Sequence, residues 1–159
     1  MSRRKILFLC TGNSARSILA EYILRQIDAE RFEVASAGSD PRGTVNPFAL
    51  EVLQRGYKLD TGDARSKSWE EFDGTLFDFV ITLCDDARET CPVWPGQPIV
   101  AHWSMPDPAA VEGTDDEKRK AFRDTARVLH RRLDLLRNLP IEKLDSLALG
   151  TAVRGIAGS

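Results

Sequence analysis

The stretch that decides the fold is residues 5–17, KILFLCTGNSARS, in which an apolar run ends at Cys10 and a helical pattern begins near Arg16. The apolar run predicts a buried strand over 5–10, and the polar segment after it predicts a loop that opens a helix. Backbone N–H groups in such a loop, with the positive end of the following helix, suit a tetrahedral oxyanion. The sequence therefore predicts a cysteine held beside an anion.

Cys10 is placed to act as a nucleophile. The positive helix end and the nearby Arg16 favour the thiolate, which is the reactive form of a cysteine. Ser17 offers a hydroxyl donor to the sulfur, and the planar guanidinium of Arg16 matches two oxygens of an anion. The predicted oxyanion-binding residues are Thr11, Gly12, Asn13, Ser14, Ala15 and Arg16.

Two loop residues suit a tight backbone path. Gly12 can adopt a positive φ and let the backbone close on a ligand, and Asn13 tolerates the left-handed region. The alternative for the whole segment is a buried cysteine at a strand end, followed by an ordinary turn and helix cap.

Composition narrows the function classes. The chain has 159 residues, a formal net charge of −2 and 3 cysteines. This length fits one domain over 1–159, the mixed charge predicts no nucleic-acid or membrane partner, and no apolar stretch is long enough to span a bilayer. The first apolar run is also too short for a signal peptide. We expect a cytoplasmic monomer whose cysteines serve chemistry rather than structural disulfides.

Strand and helix patterns alternate along the chain. Strands are predicted at 5–10, 32–37, 77–83 and 99–103. Helices are predicted at 17–28, from Asn46 to Gly56, at 68–71, between Thr114 and Pro140, and at 142–156. The order predicts an α/β fold with three layers: a mostly parallel four-stranded sheet with helices on both faces. Ligands bind such sheets at the carboxyl ends of the strands, where Cys10, Cys84 and Asp107 all fall.

Asp107 is the candidate general acid. When a thiolate attacks an oxyanion, the departing oxygen must be protonated, so a proton donor is needed. Asp107 lies between two prolines in MPDPA, residues 105–109, which is a stiff mount for a carboxyl group. The alternative is an ordinary turn aspartate.

Cys84 and Cys91 are seven residues apart and leave three interpretations open. Both can be structurally inert, one as a small core residue and the other in a loop. A zinc site with His102 is a second possibility, although the spacing fits no compact ligand pair. The third is a redox pair whose short, polar connection can rearrange until the two sulfurs meet.

Residues 8–21, FLCTGNSARSILAE, resemble the active-site loop of the low-molecular-weight tyrosine phosphatase superfamily. Residues 80–86, 91–92, 102–103 and 106–109, which read VITLCDD, CP, HW and PDPA, look like its arsenate reductase branch. The resemblance implies a low-molecular-weight phosphatase-like fold.

It also implies that Cys10 is the nucleophile, Arg16 the oxyanion-binding arginine, Ser17 the thiolate-supporting hydroxyl and Asp107 the acid, and that Cys84 and Cys91 form a disulfide relay. The implied reaction is arsenate reduction in the cytoplasm without a bound cofactor. An external dithiol protein such as thioredoxin would be the reductant, and phosphate or sulfate would compete with arsenate. The alternatives are a tyrosine phosphatase, which has no use for the cysteine pair, and an oxyanion sensor or redox-regulated interaction module without turnover.

The sequence departs from the resembling proteins at two places. Ala15 stands where many of them have a cysteine, which should leave the mechanism intact. Some resembling reductases hold potassium, and Asn13, Glu21 and Ser36 look like three of its contacts. The carboxylate expected near 65–67 is absent, so no metal is predicted with any strength.

Overall fold

A computed structural model of the chain describes residues 3–159. Its single sheet contains strands β1 (Arg4–Cys10), β2 (Phe32–Gly38), β3 (Phe79–Thr82) and β4 (Ile99–His102). The strand order is β2-β1-β3-β4, and all neighbouring strands run parallel. The predicted α/β fold is confirmed, and the sheet is wholly rather than mostly parallel.

Five helices connect and cover the strands: α1 (Arg16–Ile27), α2 (Pro47–Glu51), α3 (Asp85–Thr90), α4 (Asp115–Arg137) and α5 (Ser146–Gly155). A π-helical turn at Val52–Gly56 continues α2, and short 3₁₀ turns lie at Trp69–Phe72, Pro108–Ala110, Ile141–Lys143 and Ile156–Gly158. Helix α3 is missing from the element order predicted from periodicity, because six residues are too few to establish a helical period. The relay interpretation of Cys84 and Cys91 does predict a helical or turn-like segment over 84–95, and α3 lies there. It forms part of the crossover connection that the parallel strands β3 and β4 require.

Strand β1 is buried on both faces, which explains why its sequence is continuously apolar rather than alternating. Ile6 and Phe8 point to a larger core formed with α1, α4 and α5. Leu7 and Leu9 point to a smaller core on the opposite face, which includes residues of α3 and the Trp69–Phe72 turn. The sheet is therefore the middle of three layers, as predicted.

Trp103 anchors the chain at the carboxyl edge of the sheet. It directly follows β4 and is fully buried. Its indole Nε1–H donates to the carbonyl of Val153 at 3.0 Å, and its own carbonyl accepts from buried Arg132 at 3.0 Å. The loop from Trp103 to Asp107 thus starts from a fixed point. No helix within residues 3–159 is long and apolar enough to cross a membrane.

Candidate active site

The loop between β1 and α1 turns its carbonyl groups outward. Each of these carbonyls accepts a hydrogen bond from a backbone N–H of residues 39–46. The donor–acceptor pairs are Ser39 N–H to Cys10 O at 3.3 Å, Asp40 N–H to Thr11 O at 2.9 Å, Arg42 N–H to Gly12 O at 3.0 Å, and Asn46 N–H to Ser14 O at 2.9 Å. In a trans peptide the C=O and N–H groups point in opposite directions. The N–H groups that follow these carbonyls therefore face the inside of the loop, as an oxyanion site requires.

A cavity of about 200 Å³ opens over this loop. It is lined by Cys10, Thr11, Gly12, Ser14, Ala15, Arg16, Arg42, Asp86, Asp107 and Ala109. Five of the six predicted oxyanion-binding residues therefore line one cavity with the predicted nucleophile and acid. The sixth, Asn13, lies beneath it and is fully buried.

Cys10 is buried, and its sulfur lies 2.8 Å from the hydroxyl oxygen of Ser17. The side-chain amide of Asn13 donates to that same oxygen at 2.8 Å. Because Ser17 accepts from Asn13, its own proton is free to point at the sulfur. This is the contact that a hydroxyl supporting a thiolate would make.

The backbone of the loop corrects one prediction. Asn13 has a φ of 44° and is left-handed, as predicted, but Gly12 is not among the residues with a positive φ. Gly12 instead provides space, because a Cβ there would lie 2.8 Å from Nε of Arg42. The missing side chain lets an arginine reach the edge of the loop.

Arg16 and Asp107 face each other at the cavity. One guanidinium nitrogen of Arg16 donates to Met105 O at 3.0 Å, and the other lies 3.8 Å from a carboxylate oxygen of Asp107. Asp107 also accepts the N–H of Ala109 at 2.9 Å and caps the following turn. Asp107 therefore both caps a turn and lies over the loop of residues 10–16, the predicted anion loop.

Cys84 and Cys91 lie at the two ends of α3, and all three cysteines are free thiols. Cys84 is buried, with its sulfur 3.3 Å from the hydroxyl of Thr11 in the anion loop. Cys91 is partly buried, and burial raises the pKa of its thiol. Both pack in the same apolar cluster as Cys10.

His102 is not directed at these cysteines. Its Nδ1 lies 2.6 Å from the hydroxyl of Thr82, and burial lowers the pKa of the imidazole. Within residues 3–159, no three or more His, Cys, Asp and Glu side chains group as metal ligands would.

Two residues of the site are not revealed by sequence patterns. Arg42 places a second guanidinium at the cavity wall, and its only signal is a cation in a glycine-containing loop. Lys67 extends its ammonium group below the loop, where it donates to Asn13 Oδ1 at 3.4 Å. Both lie far in sequence from residues 10–17, and the fold brings them there. For Lys67 the resemblance gives one signal, since it implies a potassium-binding carboxylate near 65–67.

Comparison with known proteins agrees with this geometry. A family model described as low molecular weight phosphotyrosine protein phosphatase matches residues 5–145. The chain belongs to this family. A curated relative, arsenate reductase of Oceanobacillus iheyensis, is 39% identical over 125 residues, covering 77% of this chain and 86% of the relative.

Solved structures of both activities resemble the chain. A low molecular weight protein tyrosine phosphatase from T. tengcongensis has a TM-score of 0.69 at 27% identity, covering 89% of this chain and 99% of the other. An arsenate reductase in a phosphate-binding state has a TM-score of 0.66 at 27% identity, with 82% and 94% covered. The thioredoxin-dependent arsenate reductase of Corynebacterium glutamicum has a TM-score of 0.56 at 28% identity, with 84% and 63% covered.

Gly38 tests whether the loop needs close support from β2. A Cβ at this position would lie 2.4 Å from Thr11 O and 3.0 Å from the backbone nitrogen of Asn13. Because backbone cannot yield as a side chain does, we expect Gly38→Ala to lower the free energy of unfolding by about 1–3 kcal/mol and to weaken anion binding. Urea unfolding and phosphate protection of Cys10 against alkylation measure the two effects.

Gly56→Ala is the matched control, since a Cβ at Gly56 meets open space. Its unfolding free energy should change by less than about 0.5 kcal/mol, and phosphate protection should be unchanged. Equal protection in Gly38→Ala and the control would contradict the role given to Gly38.

Proposed function

We propose that this chain is an arsenate reductase that acts as a single domain over 1–159. The observation that carries the proposal is the position of three free cysteines, Cys10, Cys84 and Cys91, in one apolar cluster beside the anion loop. A phosphatase of this family needs only a nucleophile, an arginine and an acid. The name of the Oceanobacillus relative supports the same choice.

The first step forms an arsenic adduct. The Cys10 thiolate attacks arsenic(V) held by the loop N–H groups and Arg16, so that a sulfur–arsenic bond forms and an arsenic–oxygen bond breaks. Asp107 gives its proton to the departing hydroxyl, which leaves as water. The 3.8 Å distance between Arg16 and Asp107 supports this assignment, because the carboxyl would then lie beside the same anion.

The second step transfers two electrons to arsenic. Cys84 attacks the sulfur of Cys10, forming a Cys10–Cys84 disulfide, and the pair in the sulfur–arsenic bond leaves with arsenic as arsenite. Arsenic is reduced from +5 to +3, and two thiols are oxidised. The 3.3 Å contact between Cys84 and Thr11 supports this assignment because it holds the second sulfur against the loop.

The third step moves the disulfide to the surface. Cys91 attacks the sulfur of Cys84 and releases the Cys10 thiolate, leaving a Cys84–Cys91 disulfide. The helix between them spans Asp85–Thr90, so seven rises separate their Cα atoms by about 10 Å. A disulfide tolerates about 7 Å at most. Helix α3 must therefore unwind before this bond can form.

Helix α3 is suited to unwinding. It has only six residues, of which Ala87 alone is buried, and its side-chain anchors include one from Ser104 to Asp85 at 2.8 Å. Short helices with few buried contacts open at low cost. The opened segment would present the Cys84–Cys91 disulfide to a reductant.

An external dithiol protein completes the cycle, and thioredoxin is the reductant that we propose. The thioredoxin-dependent neighbour supports this choice, and no bound cofactor is needed for the electron balance. Phosphate or sulfate would compete for the loop, as the phosphate-binding neighbour suggests. Free thiols fit a reducing compartment, so we propose that the chain acts in the cytoplasm. We also expect it to act as a monomer.

Two assays run side by side test the activity. Arsenate-dependent oxidation of reduced thioredoxin should proceed through many turnovers, while hydrolysis of an aryl phosphate should be slow in comparison. Ala109, at the cavity wall, offers no aromatic surface to a phosphotyrosine ring. Fast ester hydrolysis without thioredoxin oxidation would establish the phosphatase alternative, and binding of oxyanions without either reaction would indicate a sensor.

Asp107→Asn should slow adduct formation by about 10²–10⁴-fold, because the amide keeps the size of the carboxyl but has no acidic proton. Phosphate binding should be little changed. The measurement is quenched-flow detection of the first arsenite in a single turnover. Asp145→Asn is the control, since Asp145 also caps a helix through its carboxylate, accepting from Ala148 N–H at 2.8 Å. If both substitutions slowed the reaction equally, Asp107 would have only a helix-capping role and would not be the acid.

Cys91→Ser should release one arsenite per enzyme and accumulate the Cys10–Cys84 disulfide, because nothing can resolve that bond. Cys84→Ser should stop earlier, at the arsenic adduct. Peptide mapping after a single turnover distinguishes the two variants. Full multiple turnover of Cys91→Ser with thioredoxin as sole reductant would disprove the three-cysteine relay.

Resolution of the Cys10–Cys84 disulfide should accelerate with pH. Burial raises the pKa of Cys91, so between pH 6 and 8 only a small fraction of its thiol is ionised. That fraction, and with it the rate, should rise about tenfold per pH unit. Acid-quenched mapping of the Cys10–Cys84 intermediate gives the rate at each pH. A flat profile over this range would show that Cys91 is not the attacking group.

A further inference from the structure

A buried ammonium group lies where a metal cation would be expected. Asn13, Glu21 and Ser36, the three residues that resemble potassium contacts, do come together beneath the anion loop. The Nζ of Lys67 lies among them, 3.4 Å from Asn13 Oδ1, 3.5 Å from Ser36 Oγ and 3.8 Å from Glu21 Oε1. The residues present therefore do not fit a metal ion at this position.

The oxygen atoms around Lys67 match the donors of an ammonium group. A lysine ammonium has three hydrogens and no acceptor, and Nζ donates at 3.0 Å to Arg65 O as well as to Asn13 and Ser36. Only 10% of the Lys67 side chain is exposed. Its backbone is also held, because Lys67 O accepts from Gly38 N–H at 2.9 Å and Lys67 N–H donates to Asn13 Oδ1 at 2.9 Å.

The charge at this position serves the buried carboxylate of Glu21. Glu21 is 6% exposed, accepts from Ser36 and pairs with Arg25 on its other side. A carboxylate buried to this degree needs cations and hydrogen bonds around it. Burial lowers the pKa of Lys67, and the nearby carboxylate of Glu21 opposes that effect, so the carboxylate favours the charged form of Lys67.

A continuous series of hydrogen bonds leads from Lys67 to the nucleophile. Lys67 donates to Asn13, Asn13 donates to Ser17, and Ser17 lies 2.8 Å from the sulfur of Cys10. Asn13 uses both ends of its amide in this series, which fixes its orientation. Hydrogen bonds from Lys67 therefore help to hold Asn13 in its left-handed conformation.

We propose that Lys67 is a positioning residue, a tethered cation that replaces a bound monovalent metal ion and orients Asn13 and Ser17 toward Cys10. The proposal rests on Cys10 as the nucleophile of the proposed function but not on arsenate as its substrate. It predicts that the unaltered chain is indifferent to potassium. A variant without the ammonium group should acquire dependence on a monovalent cation.

The experiment measures alkylation of Cys10 by iodoacetamide in a Cys84→Ser, Cys91→Ser background, where it is the only remaining cysteine. Rates are compared at equal ionic strength in choline, potassium and ammonium chloride. Lys67→Ala leaves space for an ion, whereas Lys67→Met fills the space without a charge. Lys143→Ala, at an exposed lysine, is the control.

In choline, Lys67→Ala and Lys67→Met should both react about tenfold more slowly than the parent, the loss expected when a charge-assisted hydrogen bond disappears. Potassium or ammonium should restore Lys67→Ala only, and the parent and Lys143→Ala should react equally in all three salts. A merely structural role would not produce this selectivity among cations.

Three results would overturn the proposal: potassium stimulation of the parent, equal rates of Lys67→Ala and the parent in choline, or equal rescue of Lys67→Met and Lys67→Ala. The first can be measured even where the variants fail to fold. Because the readout contains no arsenate, failure of the reductase proposal would leave these outcomes distinguishable.

Discussion

The outward orientation of the loop carbonyls is the constraint on which the site depends. Each carbonyl that accepts from the segment between Ser39 and Asn46 forces the next N–H inward, and the positive φ of Asn13 lets the chain complete this turn before α1 begins. These inward N–H dipoles need no reorganisation when an anion binds, because the hydrogen bonds of the neighbouring carbonyls already hold the loop in place. The buried strands β1 and β2 bring the two segments together, so the fold itself creates the anion site.

Local signals made much of this predictable. A continuous apolar strand, a glycine-containing loop and a helix with Arg16 at its start are adjacent in sequence, and parallel topology then places Cys10, Cys84 and Asp107 on one edge. Local signals do not predict the positions of Arg42 and Lys67, because these follow from the pairing of distant loops. For Lys67, the resemblance to potassium-binding relatives near 65–67 is the one pointer in the sequence. Gly12 illustrates the same limit: the chain needs its missing side chain for contact with Arg42, rather than its freedom to adopt a positive φ.

Helix α3 escapes sequence patterns for a reason that bears on its chemistry. A helix long enough to show a period would bury a wide apolar face and resist opening. With Ala87 as its only buried residue, α3 can hold Cys84 against Thr11 while remaining inexpensive to unwind. The small buried face that makes the helix hard to recognise in the sequence is therefore the feature that the third step of the proposed relay requires.

Replacing a bound ion by a side chain changes how the site responds to its surroundings. A site that needs a free cation is stabilised only in proportion to RT ln(1 + [L]/Kd), so its order varies with ion concentration. A tethered ammonium is always present. The entropy cost of localising it belongs to folding, which holds Lys67 beside β2. The disadvantage is that the cation beside Glu21 is fixed and cannot be replaced by another. On this proposal the loop has a constant electrostatic support, and the reactivity of Cys10 does not vary with the concentration of potassium.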